Sequence, residues 1–237
     1  MGPHPLWLLE ELCAHLELRP GMKVLDMGCG KGLTSVFLAK ECGVTVFAND
    51  LWISATDNLR RFEEAGVDGN VFPIRAEAHA LPYAQGFFDV AVSIDSYHYY
   101  GADEAYFPCT FSKLVKPGGQ FGIVLPGLTR EFEKGYPDNM KKFWQNAEMF
   151  SFHSKDWWRH LWEKTGLCEI TACYEMESPK KIWQGWAEWA SRNMDADFGD
   201  VNVDPDDIDD VEFLEADTNN DIALIVMAAR KVQKVWI

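Results

Sequence analysis

None of the six cysteines, Cys13, Cys29, Cys42, Cys109, Cys168 and Cys173, forms a Cys-x-x-Cys pair, and no histidine cluster has zinc-ligand spacing. A structural zinc site is therefore not expected, and no metal is assigned. Bases are also scarce, with 22 Lys plus Arg against 37 Asp plus Glu and a net charge of -15. That balance argues against holding nucleic acid by phosphate neutralisation and against docking on an anionic membrane. Long apolar runs are missing too. The longest, Ile222 to Ala229, is far too short to span a bilayer. The beginning, Met-Gly-Pro-His-Pro, has no basic stretch leading into an apolar core, and Leu6 stands where myristoylation would need Ser or Thr. A reduced, cytoplasmic setting is the expectation.

Hydrophobic residues make up 47% and charged residues 25%, which is ordinary globular usage, and 237 residues suit one domain with additions. Leu6, Leu9, Leu12 and Leu16 fall on one helical face, stopped by Pro20-Gly21. Strand and helix signals then alternate. Strands are expected at Val24-Leu25, Val44 to Asp50, Asn70 to Arg75, Phe88 to Ile94 and Gln120 to Leu125. Helices are expected at Leu33 to Glu41, Ser54 to Ala65 and Glu104 to Val115. This rhythm implies a doubly wound α/β fold with a mostly parallel sheet, whose carboxyl edge carries the ligand site.

After Pro126 the rhythm breaks. Helices are expected at Thr129 to Phe150, Lys155 to Thr165 and Lys181 to Asn193, with strands at Glu169 to Glu177 and Asp221 to Val232. Asp195 to Asp221 holds 12 acids and no base, and reads as a solvated loop. Without it the chain is nearly balanced, so exclusion of nucleic acid rests on the lack of a concentrated basic patch. Asp217, Asn219 and Asp221 open like a calcium loop, but Ile222 and Ala228 stand where Gly and Glu are required.

The sharpest signal is Val24-Leu25-Asp26-Met27-Gly28-Cys29-Gly30-Lys31-Gly32, glycines between a strand and a helix. The third glycine comes one residue too early for a dinucleotide site, and no Walker spacing follows. A carboxylate at Asp26 would repel a pyrophosphate but favour a cationic ligand. Its alternative role is to cap the turn. The segment resembles the first motif of class I S-adenosylmethionine-dependent methyltransferases. Asp50 stands where that family binds the ribose hydroxyls. Ala76-Glu77-Ala78 with Leu81-Pro82, Phe88 to Ser93 and Leu114 to Gly119 are similar to its next three motifs.

That resemblance, covering roughly residues 20 to 125, implies a Rossmann-like methyltransferase fold of seven strands, the last inserted antiparallel. It implies S-adenosyl-L-methionine as cofactor, held by Asp26, Gly28, Cys29, Gly30, Gly32, Asp50, Leu51, Glu77, Ala78, Ser93 and Asp95. Glu77 replaces the usual Asp beside the adenine, and Asp95 has a helix cap as its alternative role. The implied activity is methyl transfer to a small molecule, placed among bacterial small-molecule methyltransferases and relatives of cyclopropane synthase. The implied division is an N-terminal helix (1–22), a cofactor core (23–128), a helical insertion (129–166), and C-terminal strands (167–237) interrupted at 178–220.

The loop Asp95 to Tyr100 supplies the catalytic candidates. His98 is a general base or a structural histidine; Tyr97 and Tyr100 line the site or pack beneath it. Seven of ten tryptophans lie between Trp144 and Trp189, and are expected either to pack on the sheet or to form a Trp-rich helical cap over the acceptor. Facing a cationic amine, such rings would attract it. Competing readings are a cofactor-binding protein without catalysis, an RNA or protein methyltransferase, and a dehydrogenase. Arsenic methylation is a further one, disfavoured because Cys168 and Cys173, five apart on a strand, should face opposite ways.

Overall fold

A computed structural model describes residues 2–145, 147–193 and 210–233. Seven strands form one sheet: β1 (Lys23–Met27), β2 (Thr45–Asp50), β3 (Val71–Arg75), β4 (Phe88–Ile94), β5 (Val115–Leu128), β6 (Cys168–Glu175) and β7 (Ile222–Lys231). Their spatial order is β3-β2-β1-β4-β5-β7-β6, and β7 alone runs antiparallel to its neighbours. The fold class expected from the sequence is thus observed, down to the antiparallel strand.

Burial on both faces explains the apolar character of the strands. Val24, Val46, Val90, Val124 and Val226 point to one layer, while Leu25, Ala91, Ile123 and Met227 point to the other. The first layer is covered by α1 (Pro5–Cys13), α2 (Leu33–Cys42) and α3 (Ala55–Glu64) through Leu9, Leu38 and Phe62. Local chemistry sets the starts of these helices. His4 accepts from the Trp7 backbone N–H at 3.4 Å, and Ser54 from that of Asp57 at 3.0 Å. The second layer is covered by α4 (His98–Gly101), a π-turn (Phe107–Phe111), α5 (Ser112–Leu114) and α6 (Lys155–Glu163).

Several expected elements are corrected. The helix at Glu104 to Val115 is broken into the π-turn and α5, because Pro108 lacks an N–H, and Val115 already pairs with Phe88 as strand. The helix at Thr129 to Phe150 does not form. Gly135 has φ +85° and Pro137 follows, so the chain makes turns and short 3-10 segments instead.

Trp158 and Trp162 of α6 do not belong with the inserted helices. They are fully buried in the opposite layer, where Trp162 stacks on Phe107 at 4.4 Å. Cys168 and Cys173 share a face, because a bulge between Ile170 and Ala172 shifts the register by one residue. Part of the acidic stretch is helical, α8 (Asp210–Ala216), which packs with α7 (Pro179–Asn193); residues 195–209 lie outside the described set. Asp217 caps the entry to β7 by accepting from Asp221 and Ile222 N–H at 2.8 and 3.2 Å, a structural use of the residue that opened the calcium-like pattern.

The segments inserted after β5 and β6 leave from the carboxyl edge of the sheet. They pack on one another through Phe143, Trp183 and Phe213. No helix among the described residues is long and apolar enough to cross a membrane.

Candidate active site

Strand order reverses between β1 and β4, which opens a crevice at the carboxyl ends of those strands. The glycine loop fills its floor. Gly28, Gly30 and Gly32 all have positive φ, at +73°, +54° and +82°. Two of them are held by close packing: a Cβ on Gly28 would lie 1.8 Å from Ser96 Oγ, and one on Gly32 would lie 2.3 Å from the Phe62 ring. A Cβ on Gly30 would meet nothing within 4 Å, so that backbone faces open space.

Two carboxylates frame the loop. Asp26 is fully buried, and its Oδ2 accepts from the Thr34 and Ser35 hydroxyls at 2.7 and 2.6 Å. Its Oδ1 accepts from no group among the described residues. Burial is the main cause that pushes this carboxyl up to about 6, against the pull of the two hydroxyls. Asp50 ends β2 and is also buried. One oxygen accepts from Gly30 N–H at 2.8 Å; the other accepts from Trp52 and Ile53 N–H at 2.8 and 2.9 Å. It therefore fastens the glycine loop to the loop after β2, with about one acceptor site, on Oδ2, left for a hydroxyl. Leu51 and Trp52 beside it are exposed. Cys29 is buried, which raises its thiol well above the usual range.

Farther along the edge, Glu77 is half exposed and engaged by His79. It accepts from the backbone N–H at 2.8 Å and meets Nδ1 at 2.7 Å, which lowers its carboxyl. Glu77, the residue expected beside the adenine, is thus hydrogen-bonded locally to His79, while Ala78 is buried in the second layer. Beyond β4, Asp95 holds a left-handed φ of +52° and donates its N–H to Val124 O at 2.7 Å. Gly2 lies directly against its carboxylate. Asp95 therefore sits under the N-terminal segment.

The three catalytic candidates separate. Tyr97 is fully buried in the second layer and accepts from Trp162 Nε1 at 3.1 Å, so packing is its role, and burial holds its phenol well above the usual range. Tyr100 reaches the crevice. Its hydroxyl lies 2.8 Å from Ser93 Oγ and 3.2 Å from Ser96 Oγ, and donates to Met27 O at 3.3 Å, tying β4 to the glycine loop. Desolvation raises its pKa, so it stays a neutral phenol. His98 is 2% exposed, between Tyr99 at 4.1 Å and Phe152 at 5.7 Å, where α4 meets the segment inserted after β5.

Sequence reasoning missed Ser96, Asn58 and Trp52. Asn58 Nδ2 donates to Gly30 O at 2.9 Å. The i,i+4 spacing of Ser96 and Tyr100 was a usable signal; nothing in the sequence ties Asn58 to the loop. A separate groove of about 250 Å³, lined by His15, Glu17, Gln120 and Arg230 among others, opens at the amino edge, remote from this chemistry. No cluster of metal ligands occurs among the described residues.

A doubly wound sheet with a glycine loop and an acidic strand end at the switch point defines a cofactor-binding α/β protein. A family profile described as a methyltransferase domain matches residues 24–119. Methyltransferase GfsG of Streptomyces halstedii is 31% identical over 119 residues, 49% of this chain and 42% of that protein. The ubiquinone/menaquinone biosynthesis C-methyltransferase UbiE of Vibrio vulnificus is 32% identical over 160 residues, 64% of this chain and 55% of that protein. The chain thus spans about half the length of these curated relatives. The structure of phosphoethanolamine N-methyltransferase 2 from Haemonchus contortus, in complex with S-adenosyl-L-methionine, is 19% identical. It aligns with a TM-score of 0.74 over 96% of this chain and 53% of that one. Residues 24–119 thus match a methyltransferase domain, the relatives that overlap it are methyltransferases, and the solved structure shares the fold.

Proposed function

We propose that the protein transfers a methyl group from S-adenosyl-L-methionine to a small-molecule acceptor. The observation that carries this reading is the crevice floor: an open Gly30 backbone whose N–H is bound by Asp50, above a buried Asp26 carboxylate with one unpaired oxygen. Those residues fit the cofactor. The glycine backbone lets it approach closely, Asp50 keeps about one acceptor site on Oδ2 for a ribose hydroxyl, and Leu51 offers an apolar surface to the adenine. Asp26 supplies negative charge behind the loop, which favours the cofactor's cationic amino acid end.

The bound cofactor supplies an activated methyl on a sulfonium. The chain's own residues then have to hold the acceptor in line, exclude water and, for a protonated acceptor, take up a proton. Tyr100, bonded to Ser93 and Ser96, positions the loop from below. His98, at the junction of α4 and the inserted segment, is the group we assign to proton uptake. The inserted segments, with Trp144 and Trp183 buried among them, would serve as the acceptor's cap; Trp189 lies outside the described side chains. The division at 1–22, 23–128, 129–166 and 167–237, a cytoplasmic setting and the exclusion of nucleic acid and membrane partners belong to this same reading.

The test uses S-adenosylmethionine labelled in the methyl group, with pools of small molecules, RNA and protein. Label is expected in the small-molecule pool, abolished by Asp50→Ala and reduced at least about tenfold by His98→Ala. Label in RNA or protein alone, or none despite cofactor binding, contradicts the proposal. Wild-type turnover by His98→Ala removes it from the mechanism.

A further inference from the structure

An aromatic ladder crosses the crevice. β1 lies between β2 and β4 in the sheet, so the loops after β2 and β4 start about 10 Å apart, on either side of the glycine loop. Trp52, from the first of these loops, nevertheless meets Tyr99, from the second, edge to face at 5.2 Å. The two rings therefore bridge the loops after β2 and β4. Tyr99 continues to His98 at 4.1 Å, His98 to Phe152 at 5.7 Å, and Phe152 to Phe213 at 6.3 Å. The ladder runs from the ribose-side loop to α8, with its exposed end at Trp52 and Tyr99, 69% and 47% exposed.

The ladder itself contains no lysine or arginine, and the glycine loop contributes one cation, Lys31. Three cations of the same edge are already engaged: Arg130 with Asp221 at 3.1 Å, Lys180 with Asp217 at 3.2 Å, and Arg75 with Leu51 O at 2.9 Å. Asp50 accepts from the Trp52 N–H at the foot of the ladder, and the Asp26 carboxylate is buried behind the glycine loop. Aromatic faces backed by carboxylates attract cations and repel phosphates and carboxylates.

Resting on the methyltransferase reading above, we propose that the acceptor is an amine, recognised in its cationic form on the exposed faces of Trp52 and Tyr99. Its proton passes to the His98 imidazole, which frees the nitrogen lone pair. That pair attacks the methyl carbon, the N–C bond forms, and the S–C bond breaks with its electrons left on sulfur. The methylated product, again cationic at neutral pH, leaves along the same rings.

Choline and its uncharged isostere 3,3-dimethylbutan-1-ol separate charge from shape. Each is titrated by calorimetry into protein saturated with S-adenosylhomocysteine. Choline is expected to bind about tenfold more tightly than the isostere. Tyr99→Ala should erase that difference and Tyr99→Phe, which keeps the ring, should preserve it. With labelled donor, a set of amines is expected to be labelled and a set of phenols and quinols not. Equal binding of the two probes, no choline binding at millimolar concentration, or insensitivity to Tyr99→Ala overturns the inference while leaving methyl transfer standing. Failure of S-adenosylhomocysteine itself to bind overturns the cofactor reading, and this inference with it.

Discussion

Single atoms decide what each loop glycine does. At Gly28, a methyl group would overlap Ser96 Oγ, and the φ of +73° would be strained as well. Gly28→Ala is expected to cost about 1–3 kcal/mol in urea denaturation and to weaken the cofactor by displacing Ser96 and Tyr100. At Gly30 the methyl would enter open space. Gly30→Ala should therefore cost about 1 kcal/mol or less of stability, yet lower cofactor affinity far more. Equal stability losses at the two positions would refute the distinction. The sequence spelled out both glycines but not this difference, which depends on a serine about seventy residues away.

Asp26 gives a pH signature at the same scale. Its folded carboxyl, raised to about 6, lies above the unfolded value of 3.8, so folding favours the protonated form. On its own the group is therefore most stabilising at low pH, and that contribution is lost as pH rises from about 4 to 6. A cationic ligand favours the ionised form instead. Cofactor affinity is expected to fall as pH drops through about 6, and Asp26→Asn should flatten that dependence. A flat wild-type profile contradicts the assignment.

Among the elements, the strands and the first three helices were legible because their burial follows a simple period. Strand residues alternate between the layers, and α3 carries its own Ser54 cap. The illegible elements are those shaped by a local exception. One bulge reversed the expected facing of Cys168 and Cys173, and Gly135 with Pro137 removed a helix. Tryptophan counts also misled, since Trp158 and Trp162 look like their neighbours in sequence but lie across the sheet from the inserted helices. Tyr97 and Tyr100 test this layering. Tyr97→Phe removes the acceptor of Trp162 Nε1 and should cost about 1 kcal/mol of stability while leaving cofactor affinity intact. Tyr100→Phe breaks contacts with Ser93, Ser96 and Met27, and should weaken the cofactor. Calorimetry on both variants checks the pair; the reverse pattern would place Tyr97 in the site.

Taken as a whole, the molecule gathers its ligand chemistry at one edge. The loops after β1, β2, β3 and β4, distant in sequence, meet there because parallel strands deliver their carboxyl ends to the same side. The proposed cofactor half of the site could be placed from the sequence for that reason. The acceptor half could not, since it depends on how inserted segments with no regular period pack over α4. A ligand that binds only the folded chain must stabilise it, by about 2.7 kcal/mol at a hundredfold excess over Kd. The most direct measurement is calorimetric titration of S-adenosylhomocysteine, with NAD as control, into wild-type protein and Gly30→Val. One-to-one binding of S-adenosylhomocysteine to the wild type, none to the variant and none of NAD is the expected result. Binding of NAD, or unchanged affinity in Gly30→Val, would contradict the account.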